Sequence, residues 1–349
     1  MGRENASDLR RGWTTGACAT AAVKAGLTAL WGDVQLTEVG ITLPKGEMPV
    51  FPVAHFERGT DWVSVGITKD AGDDPDVTHG ALIIATVRAS GGGVVFQAGE
   101  GVGTVTKEGL PIAVGEPSIN PVPRQMMTAE VDTAAQKFDR APDVEITVSI
   151  PGGEEIAKKT WNGRLGIVGG LSILGTTGVV RPFSCAAWIA SIHRGIDVAR
   201  AEGLPHVAGC TGATSEKVVQ DLYALPDIAM LDMGDFSGGM VKYLRKNPVP
   251  RLTVGGGIGK ITKLAQGAVD LHSSRSQVDF AALNDLSVGL GLVDVTDCNT
   301  ALEAATRAGR GLSAALAVQA RNRLVDQLPD TEIDVVVIDR VGTVLGHAQ

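Results

Sequence analysis

Apolar and polar positions alternate with a period of two through the first third of the chain. Val39 to Leu43, Val50 to Phe56, Trp62 to Ile67, Ala81 to Ala89 and Ile112 to Val114 read as strands joined by glycine and aspartate turns. Two segments break that rhythm. Thr14-Thr15-Gly16-Ala17-Cys18 opens an Ala-rich run ending near Trp31, which predicts a helix with two hydroxyls at its amino end, and Thr128 to Phe138 predicts another. Val144 to Ile150 is a further strand that closes an α+β domain with a mixed sheet, residues 1–150.

From Arg164 the pattern becomes strand, glycine loop, helix. Leu165 to Val168 precedes Ser184 to Ala201, His206 to Ala208 precedes Ser215 to Ala224, and Ile228 to Leu231 precedes Gly238 to Lys246. Leu252 to Val254 precedes Lys260 to Leu271, and Ile333 to Ile338 closes the chain after a long segment, Thr300 to Leu328. This spacing predicts a parallel, doubly wound, Rossmann-like sheet over residues 151–349, so the fold class is α/β in two domains. The length of 349 residues fits that division.

In such a sheet, ligands sit beyond the carboxyl ends of the strands. Five loops are expected to converge there: Gly169 to Gly178, Gly209 to Ser215, Asp232 to Asp235, Gly255 to Lys260, and Asp339. Gly169, Gly170, Gly175, Thr176, Thr177, Gly209, Thr211 and Gly212 are the candidate cofactor contacts, because glycine and hydroxyl residues expose backbone N–H groups without bulk. Asp232 and Asp235 are candidate acceptors for ribose hydroxyls. No loop matches G-x-G-x-x-G, and Gly259-Lys260 lacks the residues of a phosphate-binding P-loop.

Glycine makes up 45 of the 349 residues, nearly twice the usual ~7 %. The net charge of −8 argues against a nucleic-acid surface. Cys18, Cys185, Cys210 and Cys298 are too scattered for a zinc site and read as reduced thiols of a cytoplasmic protein. Met1 to Arg11 has no apolar signal core, and no apolar run is long enough for a membrane span. Lys69 to His79 gathers four carboxylates, a lysine and a histidine, from which Asp74 and His79 are candidates for acid–base work, while the same residues also suit a solvated turn. Calcium-loop spacing is absent, and no metal is expected.

Thr14-Thr15-Gly16, Lys69 to Thr78, Gly99 to Lys107, Gly115 to Arg124, Arg164 to Gly178 and Gly212 to Glu216 together resemble the CbiD family of cobalt-precorrin-5B C(1)-methyltransferases. The resemblance runs from about Leu9 to near the carboxyl end. It implies transfer of a methyl group from S-adenosyl-L-methionine to carbon 1 of a cobalt-corrinoid, giving cobalt-precorrin-6A on the anaerobic route to cobalamin. It also implies a polycarboxylate substrate held by Thr14, Thr15, Asp73, Arg124, Arg164, Arg181, Lys242 and Arg275, with the corrinoid on the first domain and the donor on the second. A homo-oligomer is compatible with it. The competing readings are an NAD(P)-dependent oxidoreductase and a non-catalytic corrinoid-binding scaffold.

Overall fold

The computed structural model describes residues 9–349; most of the charged segment Met1 to Arg11 lies outside the described residues. The chain divides into two units, Met1–Ser184 and Cys185–Gln349. The boundary therefore falls well beyond the expected residue 150. The segment expected to open the second sheet is built into the first unit instead. Ile167–Val168 pairs antiparallel with Thr104–Val105, and Val179–Val180 pairs antiparallel with Gly12–Trp13. Between these pairs, Leu171 bridges Val102 and Ile173 bridges Ile119.

The first unit is built on a five-stranded sheet of β1 (His55–Arg58), β2 (Trp62–Thr68), β3 (Leu82–Ala89), β4 (Val94–Ala98) and β5 (Val144–Ser149), in the order β1-β2-β3-β5-β4. All neighbours are antiparallel except β4 and β5. The predicted strand at Val50 to Phe56 is two strands with different partners: Val50–Pro52 pairs with Glu38–Gly40, whereas His55–Arg58 pairs with β2. Ile112 to Val114 is a turn, not a strand. Helix α1 (Thr15–Gly32) is buried along most of its length because alanines and glycines dominate it. At Gly26 an added Cβ would lie 2.9 Å from Val87 of β3, so the helix approaches the sheet too closely for a larger residue. Helix α2 (Pro121–Phe138) starts a full turn and more before the predicted Thr128. Pro121 and Pro123 look like helix breakers, but in a first turn their missing N–H groups cost nothing.

The second unit has strands β6 (His206–Cys210), β7 (Met230–Leu231), β8 (Arg251–Gly257), β9 (Glu332–Ile338) and β10 (Val344–Ala348) in the order β7-β6-β8-β9-β10. The first four are parallel and β10 is antiparallel to β9. Strand β10 follows the element expected to close the chain, because the turn at Asp339–Gly342 folds the chain straight back. Seven helices join and cover these strands: α3 (Cys185–Ala201), α4 (Ala213–Tyr223), α5 (Ser237–Leu244), α6 (Ile258–Ala265), α7 (Phe280–Gly289), α8 (Ala301–Ala308) and α9 (Arg310–Val325). The long segment Thr300 to Leu328 is two helices because Gly309, at φ 79°, turns the chain between them. Ile333, Val335 and Val337 of β9 face the large core formed with α3, α5, α6, α8 and α9, while Val336 and Ile338 face a smaller one with Val219 of α4. Among the described residues, no helix is long and apolar enough to cross a membrane.

Candidate functional site

In the second unit the chain leaves β6 for β7 on one side, then crosses back to β8 on the other. Loops at the carboxyl ends of β6 and β8 therefore part, and a crevice opens between them. A pocket of about 530 Å³ lies there, lined by Thr211 to Ser215, Gly257 to Lys260, Lys263, Thr300 to Leu302, and Ile338 to Arg340. Gly212, Gly257 and Gly259 have nothing within 4 Å of where a Cβ would stand, so their bare backbone borders open space.

The pocket favours negative charge. Helices α4 and α6 begin at it without any side-chain cap, so the N–H groups of their first turns are left without intrahelical acceptors. A lysine at the start of a helix is disfavoured by its dipole, yet Lys260 is the third residue of α6, while Lys263 stands in its last turn. Lys260 is paired with Asp235. Lys263 is only 7 % exposed, and its ammonium donates to the Leu271 carbonyl at 2.8 Å. Burial, and then the neighbouring Lys260 charge, push its pKa down. Asp339 at the rim accepts N–H bonds from Val341 and Thr343 at 2.9 and 2.8 Å, and the Thr343 bond leads in holding its carboxyl below the usual range.

Of the five loops expected to converge, those at Gly209 to Ser215, Gly255 to Lys260 and Asp339 supply lining residues. Thr211 and Gly212 are among them. Gly209 is not, since it is buried within β6, where an added Cβ would meet Met240 of α5 at 2.6 Å. Asp235 reaches the pocket only through Lys260, while the Asp232 carbonyl accepts from the Trp188 indole at 2.8 Å. Lys242 and Arg275 are exposed and do not line the pocket. Sequence reasoning missed Lys263, Thr300 to Leu302 and Arg340.

Gly169, Gly170, Gly175, Thr176 and Thr177 belong to the first unit, not to the edge of the parallel sheet. Two of the glycines there serve packing: a Cβ at Gly170 would lie 2.2 Å from the Gly101 carbonyl oxygen, and one at Gly175 would lie 2.3 Å from the Thr14 hydroxyl, whereas Gly169, at φ 87°, has nothing within 4 Å. The Leu174 carbonyl accepts from the Gly16 N–H, and the Thr14 hydroxyl accepts from the Ala17 N–H at 3.2 Å. The amino end of α1 is thus capped by the chain itself, with Thr15 buried beside it.

The Lys69 to His79 segment is a network of internal contacts. Lys69, 4 % exposed, donates to Asp76 and to Thr78, both at 2.5 Å. Asp73 accepts from the Arg10 N–H at 2.6 Å, and Asp74 accepts from the Phe183 N–H at 2.8 Å. His79 Nδ1 accepts from the Ala71 N–H at 3.1 Å, which puts the proton of a neutral ring on Nε2. Arg124 donates to the Ile119 and Pro117 carbonyls and to Glu116, and lies over the Phe96 ring. Arg164 stacks on Trp161 with its guanidinium carbon 4.3 Å from the ring centre, and Arg181 is exposed. Among the described residues, no group of three or more His, Cys, Asp or Glu could hold a metal.

The sequence profile of the CbiD family matches residues 2–182. A protein of Paramagnetospirillum magneticum named cobalt-precorrin-5B C(1)-methyltransferase is 57 % identical, covering 97 % of this chain and 98 % of its own. The chain belongs to the CbiD family. A protein of the same name from Brucella anthropi is 56 % identical over 98 % of this chain and 96 % of its own. A solved structure of the cobalamin biosynthesis protein cbiD from Archaeoglobus fulgidus is 26 % identical, covers 72 % of this chain and 77 % of that one, and superposes with a TM-score of 0.41. The CbiD profile spans the first unit almost alone, so the kinship of the second unit to CbiD proteins rests on the full-length relatives.

Proposed function

We propose that this chain is an S-adenosyl-L-methionine-dependent methyltransferase that methylates carbon 1 of cobalt-precorrin-5B to give cobalt-precorrin-6A. The observation that carries this reading is the 57 % identity to a protein of that activity's name, sustained over nearly the whole of both chains. S-adenosyl-L-methionine supplies the electrophilic methyl group when bound. The pocket between β6 and β8 fits it on three counts. Its volume of about 530 Å³ suits a nucleoside with an amino-acid arm, its bare glycines leave room against the backbone, and its position is that of ligand sites in doubly wound, Rossmann-like sheets. Thr211, Gly212, Gly257 and Gly259 would hold the donor.

The corrinoid then belongs to the first unit. Attack by an electron-rich ring carbon on a sulfonium methyl needs no protein nucleophile, so the chain's task is alignment and the exclusion of water. Arg164 and Arg181 are the cations of the first unit assigned to the substrate's carboxylates, for which guanidinium groups suit bidentate pairing. Arg124 has its nitrogens engaged by two carbonyls and Glu116, and acts by holding the loop before α2. Asp74 and His79 remain the groups for proton handling, with Nε2 the free nitrogen of His79. All four cysteines are free thiols, in keeping with a cytoplasmic enzyme.

Incubation with cobalt-precorrin-5B and methyl-labelled S-adenosyl-L-methionine is the test. One label per ring, located at carbon 1 by NMR, is expected; a ring returned unlabelled under turnover conditions sinks the reading. Asp74→Asn keeps an acceptor for the Phe183 N–H and should slow turnover about 100-fold with folding intact. Unchanged turnover would remove Asp74 from the chemistry.

A further inference from the structure

The pocket of the second unit carries more cationic character than a nucleoside needs. Three helices, α4, α6 and α8, begin at its walls; only α8 is capped by a side chain, that of Thr300, which accepts from the Glu303 N–H. Lys260, Lys263 and Arg340 line it, and Asp339 is its one lining carboxylate, with Oδ1 committed to the turn that starts β10. Lys260 already has Asp235. Among the described residues Lys263 has no carboxylate within 4 Å, with Asp235 and Asp270 acting on it only from farther away, and its ammonium donates to the Leu271 carbonyl. A buried ammonium without an anion is unfavourable, and the free energy is recovered when a bound anion supplies the missing charge.

We infer that Lys263 is the specificity-determining residue for the amino-acid end of the methyl donor, its ammonium receiving the donor's carboxylate together with the open first-turn N–H groups of α4. This inference rests on the placement of the donor in this pocket. The adenosine end, by contrast, needs only the glycine-bordered space, which offers no charge. The two ends of one ligand are thereby read by different chemistry, and removing either end of the ligand or the lysine should act on the same free-energy difference.

The experiment is calorimetric titration of the full chain with S-adenosylhomocysteine and with 5′-methylthioadenosine, which lacks the amino-acid end. Lys263→Met keeps an apolar stem of similar length. Gly212→Asp places a carboxylate where no side chain stands, and serves if the lysine variant folds poorly. Lys217→Met, on the exposed surface of α4, controls for the change in net charge. Wild type and Lys217→Met should prefer S-adenosylhomocysteine by at least about tenfold, the weight of a hydrogen bond to a charged group. Lys263→Met should lose that preference while holding 5′-methylthioadenosine as before, and Gly212→Asp should lose the preference as well, with both nucleosides weakened by the narrower pocket. If S-adenosylhomocysteine binds and both variants retain the preference, the role of Lys263 is overturned and the placement of the donor stands. If wild type binds neither nucleoside, the placement itself fails and takes the inference with it.

Discussion

Gly170 of the first unit and Gly212 of the second stand in loops of similar composition, each following an apolar strand and followed by hydroxyl residues. Their surroundings are opposite. A Cβ at Gly170 would press on the backbone of Gly101 and Val102 at 2.2 to 2.7 Å, whereas one at Gly212 would meet nothing within 4 Å. Gly170 lets two stretches of main chain touch; Gly212 leaves space for a ligand. A glycine loop therefore speaks of a ligand only when its bare side faces a cavity, and composition cannot distinguish the two cases.

The comparison is broken most directly at those two residues. Gly170→Ala should destabilise the first unit by more than about 4 kcal/mol, since rigid main chain on the far side cannot yield. Gly212→Ala should stay within about 0.5 kcal/mol of wild type and lower affinity for S-adenosylhomocysteine instead. Urea unfolding followed by far-UV circular dichroism, with nucleoside titration alongside, measures both. Equal stability of the two variants would abolish the distinction.

Each unit also contains a charge pair with one member almost wholly buried, and the two should differ in worth. Lys69 is 4 % exposed and Asp76→Ala leaves its ammonium only the Thr78 hydroxyl, so the substitution should cost about 3 kcal/mol. The Lys69→Met/Asp76→Leu double variant should restore much of it. In the second unit, Asp334 is fully buried and accepts from Arg251 Nε at 2.7 Å and from the Thr253 hydroxyl at 3.1 Å, but the Arg251 side chain is 27 % exposed. Because that guanidinium can turn to solvent and to Glu332, Asp334→Ala should cost less, about 2 kcal/mol. A larger loss for Asp334→Ala than for Asp76→Ala would reverse the ranking.

A smaller effect separates the helix starts. Thr14→Ala removes the hydroxyl that caps α1 and should cost about 1 kcal/mol. Helix α4 has only Gly212 at the corresponding position, and Gly212→Ser should gain a few tenths of a kcal/mol while narrowing the pocket. Thermal unfolding and S-adenosylhomocysteine titration of the two variants check the pair.

How much of this was legible in the sequence follows from the range of the forces involved. Period-two alternation located β2, β3 and β5, and the small-residue run located α1, because those patterns arise from burial of one face or of a whole helix. The alternation of strand and helix after His206 located most of the second sheet for the same reason. What failed depended on partners far along the chain. Ile167-Val168 has the composition of a buried strand of the second sheet, but its hydrogen bonds go to Thr104–Val105, and nothing local to it records that choice. Pro121 and Pro123 concealed the start of α2 because their effect depends on position within a turn. In the candidate site, Thr211, Gly212 and Asp339 were legible as ends of strands. Lys263 was not, since its burial and its want of a carboxylate are properties of the folded pocket.

The finest test of the difference between the units is their response to acid. Asp70 of the first unit is held at about 2, chiefly by hydrogen bonds from the Arg10 guanidinium and then by the Gly72 N–H. For Asp76, burial alone would raise the pKa, but the Lys69 charge and hydrogen bond outweigh it and the net shift is downward. Groups depressed in the folded state contribute stability that is full above their unfolded pKa of about 4 and is lost as pH falls through the folded value. The first unit should therefore weaken progressively from about pH 4 toward pH 2. Asp70 is 45 % exposed, so solvent screening limits its share to a few tenths of a kcal/mol. Asp70→Asn should flatten the acid limb by that amount and leave stability at pH 7 lower by the same, whereas the half-buried Asp76 carries the larger part. In the second unit the depressed carboxylates Asp294 and Asp339 hold turn N–H groups at the surface, so its acid limb should be shallower. Far-UV circular dichroism reports the whole chain, and the indole signal of a variant that keeps only Trp188, the one tryptophan after Ser184, reports the second unit. An indole signal lost at higher pH than the bulk of the circular dichroism would place the acid-sensitive charges in the wrong unit.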